Sequence, residues 1–175
     1  MIWTTYNPDG GLIEARYGIK DNVLYIEIEG ANNFIDIIKS ILFCFLPRVK
    51  KFGFKYHRYW YKIANDLLIE LNDLLIELKS KHDTYLFSFI VIKGHSMGAA
   101  VGSYLASYLL YFKDIFDYKQ EIRMQGYGGP KTGFQYRNYY NKNDIIRFMP
   151  FWYKKQSNIC TGKKYSSTGC QAWRS

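Results

Sequence analysis

The stretch Val91-Ile92-Lys93-Gly94-His95-Ser96-Met97-Gly98-Ala99-Ala100 decides the fold that we expect for this 175-residue chain. An apolar run, residues 85–92, leads into it, and a helix-like pattern that begins with small residues follows it. Strand, tight turn and helix in this order match the nucleophile elbow G-x-S-x-G, which lifts a serine hydroxyl above the edge of a sheet. A side chain at Gly94 or Gly98 would collide where the helix folds back over its own strand. The stretch therefore predicts a nucleophilic Ser96, against the alternative of an ordinary glycine-rich turn.

Three ordered blocks of the chain resemble one known family. Residues 94–100 resemble the G-H-S-[LM]-G-G-A block of the class 3 lipases, a branch of the α/β-hydrolases. Residues 128–133, Gly-Gly-Pro-Lys-Thr-Gly, are similar to the family's G-x-P-R-V-G loop. Residues 143–150, Asn-Asp-Ile-Ile-Arg-Phe-Met-Pro, are similar to its N-D-x-V-P-x-x-P segment. The resemblance covers roughly residues 20 to 150.

The resemblance implies the fold of an α/β-hydrolase. We expect a single domain over residues 1–175, with a mostly parallel central sheet, an antiparallel N-terminal strand pair and helices on both faces of the sheet. Alternating apolar residues at Leu24, Ile26 and Ile28 agree with this, because they predict a strand with one buried face. Residues 151–175 are a candidate for a poorly ordered tail.

The resemblance also implies roles for single residues. The aspartate of the third block is the family's triad acid, which assigns that role to Asp144. The oxyanion hole would be formed by the backbone amides of Met97, directly after the serine, and of Ala31, where the family carries R-G-T after an early strand. Glu29 and Ala31 depart from that pattern, so a plain exit from strand to loop is an equally open reading. The implied reaction is hydrolysis of a carboxylic ester, with a lipid or ester substrate and with no cofactor and no metal.

A catalytic base is missing from the expected place. A serine hydroxyl needs a base to accept its proton, and the family's histidine follows the aspartate. Residues 145–175 contain no histidine, and Gln171, at the position where a family member ends in H-x-W, is not a base at neutral pH.

The chain has three histidines, and their positions separate them. His95 adjoins Ser96 in the turn and is predicted to be structural. His82 precedes the strand and would lie about 26 Å from the serine at about 3.3 Å per residue. A helix over residues 59–79 would run about 30 Å back along the strand. That returns His57 to the edge of the sheet where the serine lies, either as the base or as a surface histidine.

Two interpretations of the function therefore stay open. The first is a serine esterase or lipase, in the sense of a lipase-like or phospholipase-like acyl hydrolase. The second is a catalytically inactive lipase-like protein that binds lipid or a protein partner, because no histidine follows Asp144. A third, weaker interpretation comes from the repeat of residues 65–71, Asn-Asp-Leu-Leu-Ile-Glu-Leu, as residues 72–78. This repeat would suit a coiled coil, although a helix packed on the sheet needs the same stripe.

Composition bears on partners and location. The formal charge of +9 and the pI near 9.3 suit an acidic partner, and we expect peripheral contact with an anionic membrane rather than nucleic acid, for which no binding signature is present. Residues 34–46 predict a short amphipathic helix that packs on the sheet or meets lipid, but it is too short to span a bilayer. With no signal peptide pattern at the N-terminus, we expect an intracellular protein. Its thiols would be mostly reduced, with a bridge between Cys160 and Cys170 left open, and its oligomeric state is not indicated.

Overall fold

The computed structural model describes residues 4–6, 13–30, 38, 48–82, 87–113, 121–130, 132, 134 and 136–139. In chain order these residues form β1 (Thr4–Tyr6), β2 (Ala15–Lys20), β3 (Val23–Ile28), β4 (Arg48–Lys51), β5 (Phe54–His57), α1 (Arg58–His82), β6 (Phe89–His95), α2 (Met97–Tyr111), β7 (Glu121–Tyr127) and β8 (Arg137–Tyr139). The predicted tail, residues 151–175, lies outside the described residues. So does the predicted helix over residues 34–46, except for Ile38, which is helical.

Six of the strands form one mixed sheet in the order β1-β2-β3-β6-β7-β8. Strand β2 is antiparallel to both of its neighbours, β1 and β3, whereas β3, β6, β7 and β8 run parallel. Asp21 and Asn22 connect β2 to β3 with φ values of 51° and 61°, the left-handed conformation that a two-residue hairpin loop requires. The sheet confirms the predicted mostly parallel architecture with antiparallel strands at its N-terminal side.

One face of the sheet carries the hydrophobic core. The alternation in β3 and β6 buries Leu24, Ile26, Ile90 and Ile92 on this face, and α2 packs against it. Helix α1 reaches the same face, where its leucines and residues of β2 and β3 line one small apolar cavity. Both described helices thus lie on one face, and a helix on the second face is not among the described residues.

The duplicated heptad lies within α1 and packs on the sheet. The leucines of both copies face the core, so the repeat is an amphipathic helix stripe; they are Leu67, Leu68, Leu71, Leu74 and Leu75, with the half-buried Leu78. The two isoleucines, Ile69 and Ile76, point outward and are 59% and 64% exposed. Neither of the two helices in the described part of the chain is long and apolar enough to cross a membrane.

Strands β4 and β5 form a separate two-stranded hairpin that covers the outer side of α2. Its loop, Phe52-Gly53, has φ values of 50° and 78°, as in a type I′ turn. The Phe52 ring lies 5.1 to 5.6 Å, between centroids, from three rings on the second half of the helix, Tyr104, Tyr108 and Tyr111, and from Phe112, the residue that follows it. Sheet and hairpin therefore enclose α2 from opposite sides, which explains why the helix is apolar around most of its circumference rather than on one stripe.

Candidate active site

Ser96 occupies the turn between β6 and α2 in a strained conformation. Its φ of 51° and ψ of −122° match the first central position of a type II′ turn, which glycine usually occupies. Its backbone N–H donates to the carbonyl of Tyr127 at 2.9 Å, and its carbonyl accepts from the N–H of Ala99 at 3.1 Å. The side chain is half-buried and does not cap the helix. The surrounding backbone thus holds Ser96 in an unfavourable conformation, as is typical of functional sites.

The glycines on either side of Ser96 are required by close backbone contacts. A Cβ at Gly94 would collide with the carbonyl of Gly98 and the backbone of Ala99, because the helix folds back over its strand as predicted. A Cβ at Gly98 would collide with the carbonyls of Ile28 and Glu29. An added Cβ at Gly98 would therefore collide with the end of the neighbouring strand β3 and not with the preceding strand β6, which corrects the expectation for this residue.

The end of β3 lies directly against the serine. A Cβ at Gly30 would be 2.9 Å from the Cβ of Ser96 and 2.9 Å from the carbonyl oxygen of His95. This contact follows from the parallel register of β3 and β6, in which Ile28 lies beside Gly94. The next residue, Ala31, which we expect to donate an oxyanion-hole amide, lies outside the described residues. The strand that leads to it nevertheless ends beside Ser96.

Met97 is the first residue of α2, and its side chain is buried. The amides of the first turn of a helix point out of its N-terminus, where the helix dipole places partial positive charge. Negative charge that develops on an atom bound to Ser96 would therefore lie at the favourable end of α2. This arrangement suits the stabilisation of an oxyanion.

His57 is buried beside the first turn of α1. The residue is 2% exposed, and its ring lies 4.6 Å from that of Trp60, between centroids, in a tilted arrangement, so the interpretation as a surface histidine is wrong. The adjacent Tyr56 donates its hydroxyl hydrogen to Ser107 Oγ at 2.5 Å. Ser107 lies ten residues beyond Met97 on α2, which is about 15 Å along the helix axis. The contact of Tyr56 lies beside the second half of α2, and that of His57 lies on α1; neither supports His57 as the base for Ser96.

The other two histidines, His95 and His82, lie at the ends of other elements of the fold. His95 ends β6; it is exposed, and a Cβ at Gly30 would be 3.1 Å from its Nδ1. His82 is the last residue of α1, at the opposite end of that helix from His57. Asp144, the predicted triad acid, lies outside the described residues, so no distance between it and Ser96 is given by the structure.

The loop after β7, on the way to Asp144, is fixed by two residues that sequence reasoning missed. Asn138 on β8 is 2% exposed; its Nδ2 donates to the Gly129 carbonyl at 2.9 Å, and its Oδ1 accepts from the Gly129 N–H at 3.1 Å. Tyr136 donates its hydroxyl hydrogen to the Pro130 carbonyl at 2.7 Å, and burial raises the pKa of this hydroxyl. The local sequence pattern of residues 128–139 does not predict these hydrogen bonds, because each joins positions six or nine residues apart.

A strained serine between a parallel strand and a helix, with the end of the neighbouring strand against it, defines the class of α/β-hydrolases. Within that class, residues 25–152 match the family model described as Lipase (class 3). The chain belongs to the class 3 lipase family. No curated protein sequence is significantly similar to it.

Solved structures show the same fold at low sequence identity. Lipase II from Rhizopus niveus superposes with a TM-score of 0.65 at 18% identity, covering 84% of this chain and 59% of the lipase. The Lip2 lipase of Yarrowia lipolytica gives a TM-score of 0.62 at 14% identity, with 84% and 60% covered. A triacylglycerol lipase whose catalytic centre is a serine protease triad gives 0.62 at 18% identity, with 84% and 59% covered. The chain thus spans less than two thirds of the length of these lipases.

Proposed function

We propose that this chain is a serine hydrolase that cleaves carboxylic esters of lipids, in the manner of a lipase or a phospholipase-like acyl hydrolase. The observation that carries the proposal is the strained Ser96, held between β6 and α2 in a member of the class 3 lipase family. A serine with the backbone geometry of glycine costs stability, so a reason is needed for its presence. Presentation of the hydroxyl to a substrate carbonyl is that reason.

In the proposed reaction, Ser96 Oγ attacks the ester carbonyl and forms a tetrahedral intermediate. The amides of Met97 and Ala31 donate to the oxyanion, and each such donor contributes about 3 to 4 kcal/mol to transition-state stabilisation in a known serine hydrolase. Loss of the alcohol leaves an acyl-enzyme, which water hydrolyses. Asp144 orients the histidine that accepts the serine proton, and that histidine is not assigned to a residue of this chain.

A second candidate function is lipid or protein binding without catalysis. Two observations favour it: residues 145–175 contain no histidine, and the neighbour of His57, Tyr56, bonds Ser107 about 15 Å along α2 from the serine end. In this case the chain keeps the fold and the elbow but has no base to activate Ser96.

A fluorophosphonate probe distinguishes the two functions, because it modifies an activated serine without requiring the natural substrate. We expect peptide mass spectrometry to find the adduct on Ser96 in the wild-type protein and none in Ser96→Ala. Asp144→Ala should slow modification by up to about 10⁴-fold, as loss of a triad acid does elsewhere. A folded wild-type protein that resists the probe would contradict the proposal and support the binding function.

His57 requires its own arm of the experiment. We expect a folded His57→Gln variant to be labelled at the wild-type rate, since its surroundings lie two to three helix turns from the serine. Loss of labelling in that variant, with an unchanged circular dichroism spectrum, would identify His57 as the base after all.

A further inference from the structure

The hairpin that packs on α2 exposes several basic side chains. We call residues 48–58 the basic hairpin; it comprises β4, its turn, β5 and the first residue of α1. Its exposed charged side chains are all basic: Arg48, Lys50, Lys51, Lys55 and Arg58. The surrounding sequence reinforces this charge, because residues 37–65 contain seven Lys or Arg and no Asp or Glu.

The pairing within the basic hairpin places like charges side by side. Lys50 lies directly opposite Lys55 in the antiparallel register. Like charges at directly opposed positions destabilise a strand pair, whereas a Lys–Glu pair at the same positions would stabilise it. The hairpin is held instead by Phe52, packed on the rings of α2, and by Tyr56, bonded to Ser107. Lys50 and Lys55 therefore concentrate positive charge on one face of the hairpin.

An exposed tyrosine adjoins the tip of the basic hairpin. Tyr111, at the end of α2, is 62% exposed. Its ring lies 5.1 Å from that of Phe52, between centroids, so it borders the hairpin turn. Basic side chains next to an exposed tyrosine suit a lipid headgroup layer, where cations meet phosphate and an amphipathic ring lies at the boundary with the acyl chains.

We propose that the basic hairpin, with Tyr111, is a docking surface for membranes that contain anionic phospholipid. A nucleic acid would also attract the cations, but the sequence carries no nucleic-acid-binding signature. The surface extends along α2, whose length is about 22 Å, and its tip lies at the end of the helix away from Ser96. Its benefit to catalysis rests on the proposed function, because it would hold the enzyme where lipid esters are concentrated. The binding itself needs no catalytic activity.

The test uses the full chain with Ser96→Ala, so that binding is measured without hydrolysis. Sedimentation compares vesicles of phosphatidylcholine with vesicles in which about one third of the lipid is phosphatidylserine. We expect binding only to the anionic vesicles, weakened at about 1 M salt, where the Debye length falls to about 3 Å. Lys50→Gln with Lys51→Gln should weaken binding by about 25-fold, because each basic residue near an anionic membrane contributes roughly fivefold.

The matched control removes two exposed lysines from other elements, Lys20→Gln with Lys79→Gln, and should change binding by less than about threefold through net charge alone. Equal losses in the two double variants would overturn the assignment to the basic hairpin. Binding to a short DNA duplex or single-stranded RNA in place of vesicles would overturn the choice of lipid. Hydrolysis of a soluble short-chain ester, measured on the same variants with Ser96 intact, should not change. An inactive protein that still binds anionic vesicles would refute the proposed function and leave the docking surface standing.

Discussion

Ser96 and Phe52 are non-glycine residues with nearly the same positive φ, 51° and 50°, yet their surroundings hold them in opposite ways. Around Ser96 the backbone is so tight that neither Gly94 nor Gly98 has room for a Cβ. Around Phe52 the backbone is open, since a Cβ at Gly53 would meet no atom within 4 Å. A strained residue costs about 1 to 3 kcal/mol. At Phe52 ring contacts offset this cost, whereas at Ser96 the backbone imposes it.

The two turns therefore have different purposes. The strain at Phe52 is local and serves packing, because it lets one side chain join three rings of α2 and the ring of Phe112. The strain at Ser96 is imposed by three elements, β3, β6 and α2. Its hydroxyl makes no capping hydrogen bond with the first turn of α2. The same substitution made in both turns distinguishes the effect of steric fit from the effect of backbone strain.

The largest difference is expected from alanine at two glycines. Gly94→Ala places a Cβ against the backbone of Gly98 and Ala99, which cannot move without opening the elbow, and should lower the free energy of unfolding by more than about 3 kcal/mol. Gly53→Ala, at φ 78° in open space, should cost only about 1 to 2 kcal/mol. Urea unfolding followed by circular dichroism measures both. Equal costs would show that the elbow is no tighter than the hairpin turn.

The next effect concerns Phe52 itself. Phe52→Gly removes the strain at φ 50° but also the ring packed on α2, and we expect a net loss of about 2 to 3 kcal/mol in the free energy of unfolding. Phe52→Tyr keeps the ring and should be within about 1 kcal/mol of the wild type. If Phe52→Gly were as stable as the wild type, the ring contacts would not be what holds the hairpin on α2.

Much of this fold could be predicted because its signals are local. The strand–turn–helix order around Ser96, the alternation in β3 and the leucine stripe of α1 each fix one element from a few adjacent residues. The hairpin of β4 and β5 was not predicted. Its loop is Phe-Gly rather than Asn-Gly or Asp-Gly, and its position depends on aromatic contacts with residues about fifty positions later. A pattern within residues 48–57 carries no sign of those partners.

The candidate site divides in the same way. Ser96 could be identified from its motif, since the order strand, turn and helix and the glycine at position 94 are local features of the sequence. The position of His57 could not be identified from the sequence. The length of the helix after it predicts at which edge of the sheet the helix begins, but not where the hairpin before the helix packs. Asn138 was missed for a similar reason. From the sequence alone its amide would be expected at the surface, and only the structure shows its buried hydrogen bonds to Gly129. Ala31 and Asp144 stay predictions.

The loop after β7 is stabilised differently from the two turns compared above: the side chain of Asn138 forms hydrogen bonds with the backbone of Gly129. Asn138→Ala would leave the buried N–H and carbonyl of Gly129 without their side-chain partner, and we expect a loss of about 2 kcal/mol in the free energy of unfolding. The control is Ser88→Ala, which removes an exposed bond to Asn22 and should cost less than about 0.5 kcal/mol. Similar costs for the two variants would contradict a supporting role for Asn138 in the path to Asp144.

The smallest effect tests the strain at the serine directly. Ser96→Gly and Ser96→Ala both remove the proposed nucleophile, so neither should react with a fluorophosphonate. They differ in backbone freedom: glycine adopts a φ of 51° readily, whereas alanine suffers the same strain as serine. We expect Ser96→Gly to be more stable than Ser96→Ala by about 1 kcal/mol in urea unfolding, with the alanine variant close to wild type. Glycine also has more conformational freedom in the unfolded chain, which by itself would make Ser96→Gly about 1 kcal/mol less stable than Ser96→Ala. Equal stability of the two variants would therefore already indicate about 1 kcal/mol of backbone strain at Ser96.

A Ser96→Gly variant that is about 1 kcal/mol less stable than Ser96→Ala would show that the serine adopts its conformation without strain. The elbow and the hairpin turn would then differ only in the room around them.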